Sequence, residues 1–161
     1  MHKNIFVIGN GFDLDIGLKT RYSDFAYSSF WPKQDGNDIP NLKLYLDKEK
    51  DTESWFDIED SLLKYARKDS EKNQLQDKSV FNPEIDMAYF VNVQNSLCDY
   101  IKWQQSQNLK HTSIAERVLR AVLENGYFDS IYSFNYTDLC AFAKKLNIRE
   151  DIKYTHIHGS E

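Results

Sequence analysis

Three short stretches hold residues suited to gripping a small polar molecule and moving a proton: Gly9-Asn10-Gly11, Asn135-Tyr136-Thr137 and His158-Gly159. Glycine lets bare backbone approach a ligand closely, amide and hydroxyl side chains give directional hydrogen bonds, and an imidazole transfers protons near neutral pH. Each stretch closes or follows a short apolar or β-branched run: "IFVI" at 5–8, "SIYSFN" at 130–135 and "IKYTHIH" at 152–158. Taken alone, each has a plainer reading, because Gly-x-Gly also makes tight turns, Asn ends strands and a lone His is more often structural. Leu14 replaces the third glycine of a dinucleotide fingerprint, and no strand ending in an acid follows about 20 residues on, which argues against a hydride-transfer enzyme. A carboxylate at Asp13 would repel a pyrophosphate at the first helical turn, and suits a helix cap instead. His156 and His158 lie two apart and share a strand face, so a shared metal is an alternative, but two ligands do not complete a site and no metal is expected.

The elements that must position these residues follow from the hydrophobic pattern. Residues 3–9 read as a buried strand, and the next hundred or so as mainly helical. Trp55, Ile58, Leu62 and Tyr65 recur at helical spacing behind a modest Ser54/Asp57 capping signal, and the polar run "RKDSEKNQLQDKS" at 67–79 reads as an exposed loop and a possible partner surface. Residues 32–41, with Pro and Gly, read as another loop. Asn82-Pro83-Glu84 opens a long helix to about Trp103, with Ile85, Tyr89, Val93, Leu97 and Ile101 at every fourth position. Ser113 and Glu116 form a capping-box pair for a helix with Ile114, Val118, Ala121 and Val122 on its apolar face, closed by Gly126. The last part reads as strand, helix capped by Thr137 and ended at Asn147, then strand, a βαβ crossover with parallel strands. In a parallel sheet every strand ends on one edge, so the three stretches converge where α/β proteins hold ligands.

Composition narrows the class. At 161 residues, 41% apolar and 28% charged, the chain reads as one ordered domain. A net charge of −5 without a basic run argues against bulk nucleic-acid binding. The four apolar residues Ile5 to Ile8 are too few for a signal peptide or a membrane span, so a cytoplasmic protein is expected. Cys98 and Cys140 lack metal or disulfide spacing and read as buried thiols.

With those residues on the page, "IGNGFDLDIGLKTRYSDF", "WFDIEDSL", "SFNYTD" and "HIHGS" make the chain resemble the N-terminal part of the phage abortive-infection AbiH family, with Lys19 where a proline is common. The resemblance implies an anti-phage defence protein. More distantly, the same stretches are similar to sirtuin-like NAD-binding proteins. That likeness implies a Rossmann-like α/β parallel sheet over residues 1–161, interrupted by a mainly helical insertion at 26–125. Because a dinucleotide site of this kind needs further strands, the domain is expected to lack a C-terminal part.

Carried over residue by residue, Gly9 and Gly11 face the phosphates, and Asn135 holds the nicotinamide ribose and its attacking water. His158 serves as general base, and Asn10, Phe12, Asp13, Thr137 and Gly159 complete the nucleotide-binding set. Arg21, on the leading loop of the helical insert, is the nearest cation for a phosphate, with a solvated surface charge as its alternative. The expected function is therefore binding and hydrolysis of NAD. The alternative is a non-catalytic nucleotide sensor or interaction module, with a homo-oligomer or a phage-derived trigger as possible partner.

Overall fold

The computed structural model describes residues 4–33, 39–52, 56–74, 83–110, 112–147 and 154–157. The chain is mixed α/β and divides into two compact units, residues 1–20 with 101–161, and residues 21–100.

The first unit contains the sheet. Strands β1 (Ile5–Ile8), β2 (Ser130–Ser133) and β3 (Tyr154–His156) lie parallel in the order β1-β2-β3. Their register puts Ile8, Ser133 and His156 in one row at the carboxyl edge. Helices α1 (Gly11–Asp15), α6 (Ile114–Asn125) and α7 (Leu139–Lys145) join the loops between strands. Ile8 and Ile131 pack with Ile16, Leu119 and Phe142 into the core, with Phe6 and Tyr154 against it. The strand expected to be buried is buried on one face only, since Ile5 and Val7 are 49% and 58% exposed. A four-residue apolar run does not distinguish one covered face from two; here alternate residues of β1 carry the core contacts.

Two helix details also differ from the sequence reading. On α6 the buried arc is Ala115, Leu119, Val122 and Leu123, while Ile114 and Val118 are exposed. The sequence allows two overlapping apolar arcs with the same i, i+4, i+7, i+8 spacing, and packing selects the one that begins at Ala115, leaving Ala121 exposed with Ile114 and Val118. The expected cap is in place, with Ser113 Oγ accepting from Glu116 N at 3.0 Å and Gly126 closing the helix at φ 64°. The reciprocal bond reaches one residue further back, because Glu116 accepts from Thr112 N. Helix α7 is capped by Asp138, whose Oδ1 accepts from Cys140 N at 2.8 Å. Thr137, the expected cap, has another partner, described below.

The second unit is helical: α2 (Tyr22–Ala26), α3 (Asn41–Thr52), α4 (Ile58–Gln74) and most of α5 (Pro83–Ser106). Tyr89 and Val93 are buried, as their spacing requires, around an aromatic group in which Phe25 meets Trp31 and Tyr100 at 5.3 and 5.5 Å. Asp57 caps α4, accepting from Glu59 and Asp60 N at 3.0 and 3.2 Å; Ser54 lies outside the described residues. The stretch read as a loop from Arg67 is instead helical to Gln74, and 75–79 lie outside the described residues. Lys, Arg, Glu and Gln favour helix even where no apolar period marks one. Cys98 is exposed and Cys140 half-buried, both free, which corrects the expectation of two buried thiols. Cys98 sits off the face of α5 that carries Tyr89, Val93 and Ile101 inward. No helix among the described residues is long and apolar enough to cross a membrane.

Candidate functional site

Backbone hydrogen bonds extend the sheet one residue beyond its carboxyl edge, from Phe134 N to Ile8 O at 2.9 Å and from Ile157 N to Ser133 O at 2.8 Å. The chain then leaves β1 through Gly9 and Asn10 into α1, and leaves β2 through 135–137 into α7. Helix α1 is held in place from two sides. Asp15 Oδ2 accepts from Ala115 N at 2.7 Å, a cap for α6, and Lys110 N donates to Ile16 O at 2.8 Å.

Asp13 is the centre of the arrangement. It lies in α1 with 1% exposure, and it caps nothing. Its Oδ1 accepts from Asn135 Nδ2 at 2.9 Å and its Oδ2 from Thr137 Oγ1 at 2.7 Å. Burial pushes its carboxyl up to about 6, against the pull of the hydrogen bonds from Thr137 and Asn135. Asn135 is 4% exposed; its backbone N–H donates to Ser133 Oγ at 3.3 Å, and its side-chain Oδ1 is buried without a partner among the described residues. Buried polar atoms are nearly always paired, so an acceptor with no partner among the described residues is unusual at a strand end.

His156 approaches the same residue through the main chain, with Nδ1 3.3 Å from Asn135 O. Only a protonated Nδ1 can donate there, which leaves Nε2 of the neutral ring as its lone-pair nitrogen. Beside it, Tyr154 Oη donates to Asp138 Oδ1 at 2.7 Å. Burial works against ionisation of Asp138, but the hydrogen bonds from Tyr154, Cys140 N and Ala141 N outweigh it and hold the carboxyl below its usual value.

Glycines 9 and 11 have open space: a Cβ built on either meets no atom within 4 Å, and neither has the left-handed φ that would require glycine. Neither packing nor backbone conformation of the described chain calls for glycine at these two positions.

The family model for bacteriophage abortive infection AbiH matches residues 5–161. The chain belongs to the AbiH family. No curated protein and no solved structure matches it.

In this AbiH chain the residues singled out from sequence separate into groups. Asp13, Asn135 and Thr137 form one hydrogen-bonded cluster, and Gly9 and Gly11 lie on the loop leading into it. Asn10 braces its own loop, taking a hydrogen bond from Thr20 Oγ1. Phe12 packs toward the core, its ring 6.5 Å from that of Phe142. Arg21 belongs to the helical unit, where it is exposed and its N–H donates to Asp24 Oδ2 at 3.2 Å. His158 and Gly159 lie outside the described residues. Among the described residues no three or more of His, Cys, Asp and Glu are grouped to hold a metal ion.

Two roles were missed from sequence. The sequence offers Asp13 as a helix cap, as a phosphate-repelling charge or as one of a nucleotide-binding set, whereas its partners lie 122 and 124 positions away, beyond any local spacing rule. His156 was weighed only as a metal ligand; the signal for its actual contact was its place in the strand, since a residue at the carboxyl end of β3 falls beside the loop leaving β2.

Proposed function

We propose that this AbiH protein acts in phage defence by binding a nucleotide at the carboxyl edge of its sheet, and that the nucleotide is NAD, hydrolysed at its nicotinamide glycosidic bond. The observation that carries the reading is the buried Oδ1 of Asn135, unpartnered among the described residues, at a strand end where parallel sheets hold ligands. The open space over Gly9 and Gly11 supports it, because a phosphate-bearing ligand needs such close access to backbone N–H groups.

The reaction asks little of the protein. Water adds to the anomeric carbon as the bond to nicotinamide breaks, giving ADP-ribose, nicotinamide and a proton. The centre becomes oxocarbenium-like, so what helps is a held sugar, a placed water and a base of near-neutral pKa. Asn135 Oδ1 is an acceptor for a ribose hydroxyl or for the water. His158 is the base implied by the family likeness, and His156, its Nδ1 tied to Asn135, offers Nε2 as a second candidate.

The test is nicotinamide release from NAD by the purified chain, beside Asn135→Ala, His156→Ala and His158→Ala. Release by wild type that falls at least 100-fold in Asn135→Ala, and in one His variant, is the expected result. Gly9→Ala and Gly11→Ala should fold normally yet bind NAD weakly. A rise in melting temperature with NAD, without release of nicotinamide, would reduce the role to sensing. Neither release nor stabilisation would overturn the proposal.

A further inference from the structure

The orientation of the Asn135 amide is decided by chemistry. An ionised carboxylate only accepts hydrogen bonds, and Asp13 already takes Thr137 Oγ1 on Oδ2. Its Oδ1 therefore faces the NH2 end of Asn135, 2.9 Å away, and the carbonyl end is left buried with no partner among the described residues. The main chain of Asn135 is held as well, by Ser133 Oγ at 3.3 Å on its N–H and by His156 Nδ1 at 3.3 Å on its carbonyl. A buried negative charge behind the amide polarises it further, making the unpaired oxygen a better acceptor.

We infer that Asp13 is a positioning residue that sets the polarity of the site: it turns Asn135 so that a carbonyl oxygen meets the ligand, and the site takes a neutral hydrogen-bond donor such as a sugar hydroxyl or a water while rejecting an anionic oxygen. The identity of the sugar rests on the function proposed above; the polarity does not. If Asp13 served only to tie α1 to the 135–137 loop, Asn at position 13 would serve nearly as well, because it also offers an oxygen to Asn135. For polarity it would not, since an amide at 13 can pair with either end of Asn135 and so lets the NH2 group turn outward.

The experiment follows the Asn135 side-chain NH2 pair in 15N-resolved spectra at pH 7.5, in wild type, Asp13→Asn and Thr137→Val, during titration with ribose, NAD and inorganic phosphate. In wild type, ribose or NAD should perturb the pair saturably and phosphate should leave it unmoved. Asp13→Asn should bind the sugar probe at least tenfold more weakly and begin to respond to phosphate. Thr137→Val, which removes one of the two bonds to Asp13, should lose about two- to fivefold. Ribose binding that depends on Asp13, without NAD binding or hydrolysis, would overturn the NAD reading and leave this inference standing. Phosphate perturbing the wild-type pair as strongly as ribose, or Asp13→Asn binding ribose as tightly as wild type, would overturn the inference. If no probe moves the pair, both fall. The wild-type comparison of ribose with phosphate needs no variant, so a variant that misfolds leaves it intact.

Discussion

Each unit of this AbiH chain buries an aspartate, and the two are used differently. In the helical unit Asp86, 5% exposed, accepts from Leu42 N at 2.9 Å and from Tyr65 Oη at 2.7 Å. It thereby ties α5 to the first turn of α3 and to α4, satisfying a helix-end N–H that has no partner within its own helix. In the sheet unit Asp13, 1% exposed, spends both oxygens on the loop leaving β2 and leaves Asn135 with a bare acceptor. The first carboxylate completes a fold. The second leaves an amide oxygen without a partner among the described residues, at a cost that its raised pKa records.

The comparison can be broken by substitution. Asp86→Ala strands the Leu42 N–H and removes the acceptor of the Tyr65 hydroxyl, and should lower unfolding free energy by about 3–5 kcal/mol in urea titrations. A loss under 1 kcal/mol would remove Asp86 from its structural role. Asp13 should show the opposite economy. Its pKa of about 6 in the fold exceeds the ordinary value of 3.8, so the stability it lends is fully present below 3.8 and is lost as pH rises through 6. Asn does not titrate. The stability of Asp13→Asn relative to wild type should therefore climb by about 2 kcal/mol between pH 4 and pH 7.5. A flat difference across that range would mean that burial of Asp13 carries no such cost.

A smaller effect sharpens the contrast within the helical unit itself. Ser61 Oγ and Tyr89 Oη are buried there without partners among the described residues, and burial pushes the Tyr89 hydroxyl well above its usual pKa. They lie on the inner faces of helices, and the unpaired hydroxyls read as packing compromises. Ser61→Ala and Tyr89→Phe should each stabilise the chain by about 1 kcal/mol in thermal or urea unfolding. Destabilisation would show that these hydroxyls have partners of their own and that the contrast with Asn135 is false.

What the sequence made legible follows the reach of local physics. The three parallel strands, the Ser113 and Gly126 ends of α6 and the long helix from Pro83 are encoded within a few residues of where they occur. The gathering of the Gly9–Gly11 and 135–137 loops followed from topology alone. The α6 face was not legible, because its apolar residues fit two arcs and only the packed neighbours choose. The cap of α7 was misassigned because Thr137 and Asp138 are both good caps, and Thr137 is engaged by a carboxylate more than a hundred positions earlier. The polarity of Asn135 depends on that same distant carboxylate.

The separation of Asp13 from Asn135, 122 positions, also sets a clock. Ribosomes add about 5–20 residues per second. Strand β1 therefore waits on the order of 10 s for β2, its neighbour in the sheet, to be synthesised. Until then the glycine loop and Asp13 exist without Asn135 or Thr137, and a product that stops short of Ser130 carries no assembled site at all. Incomplete copies therefore lack the Asp13–Asn135–Thr137 cluster, which forms only when the late segment meets the first one.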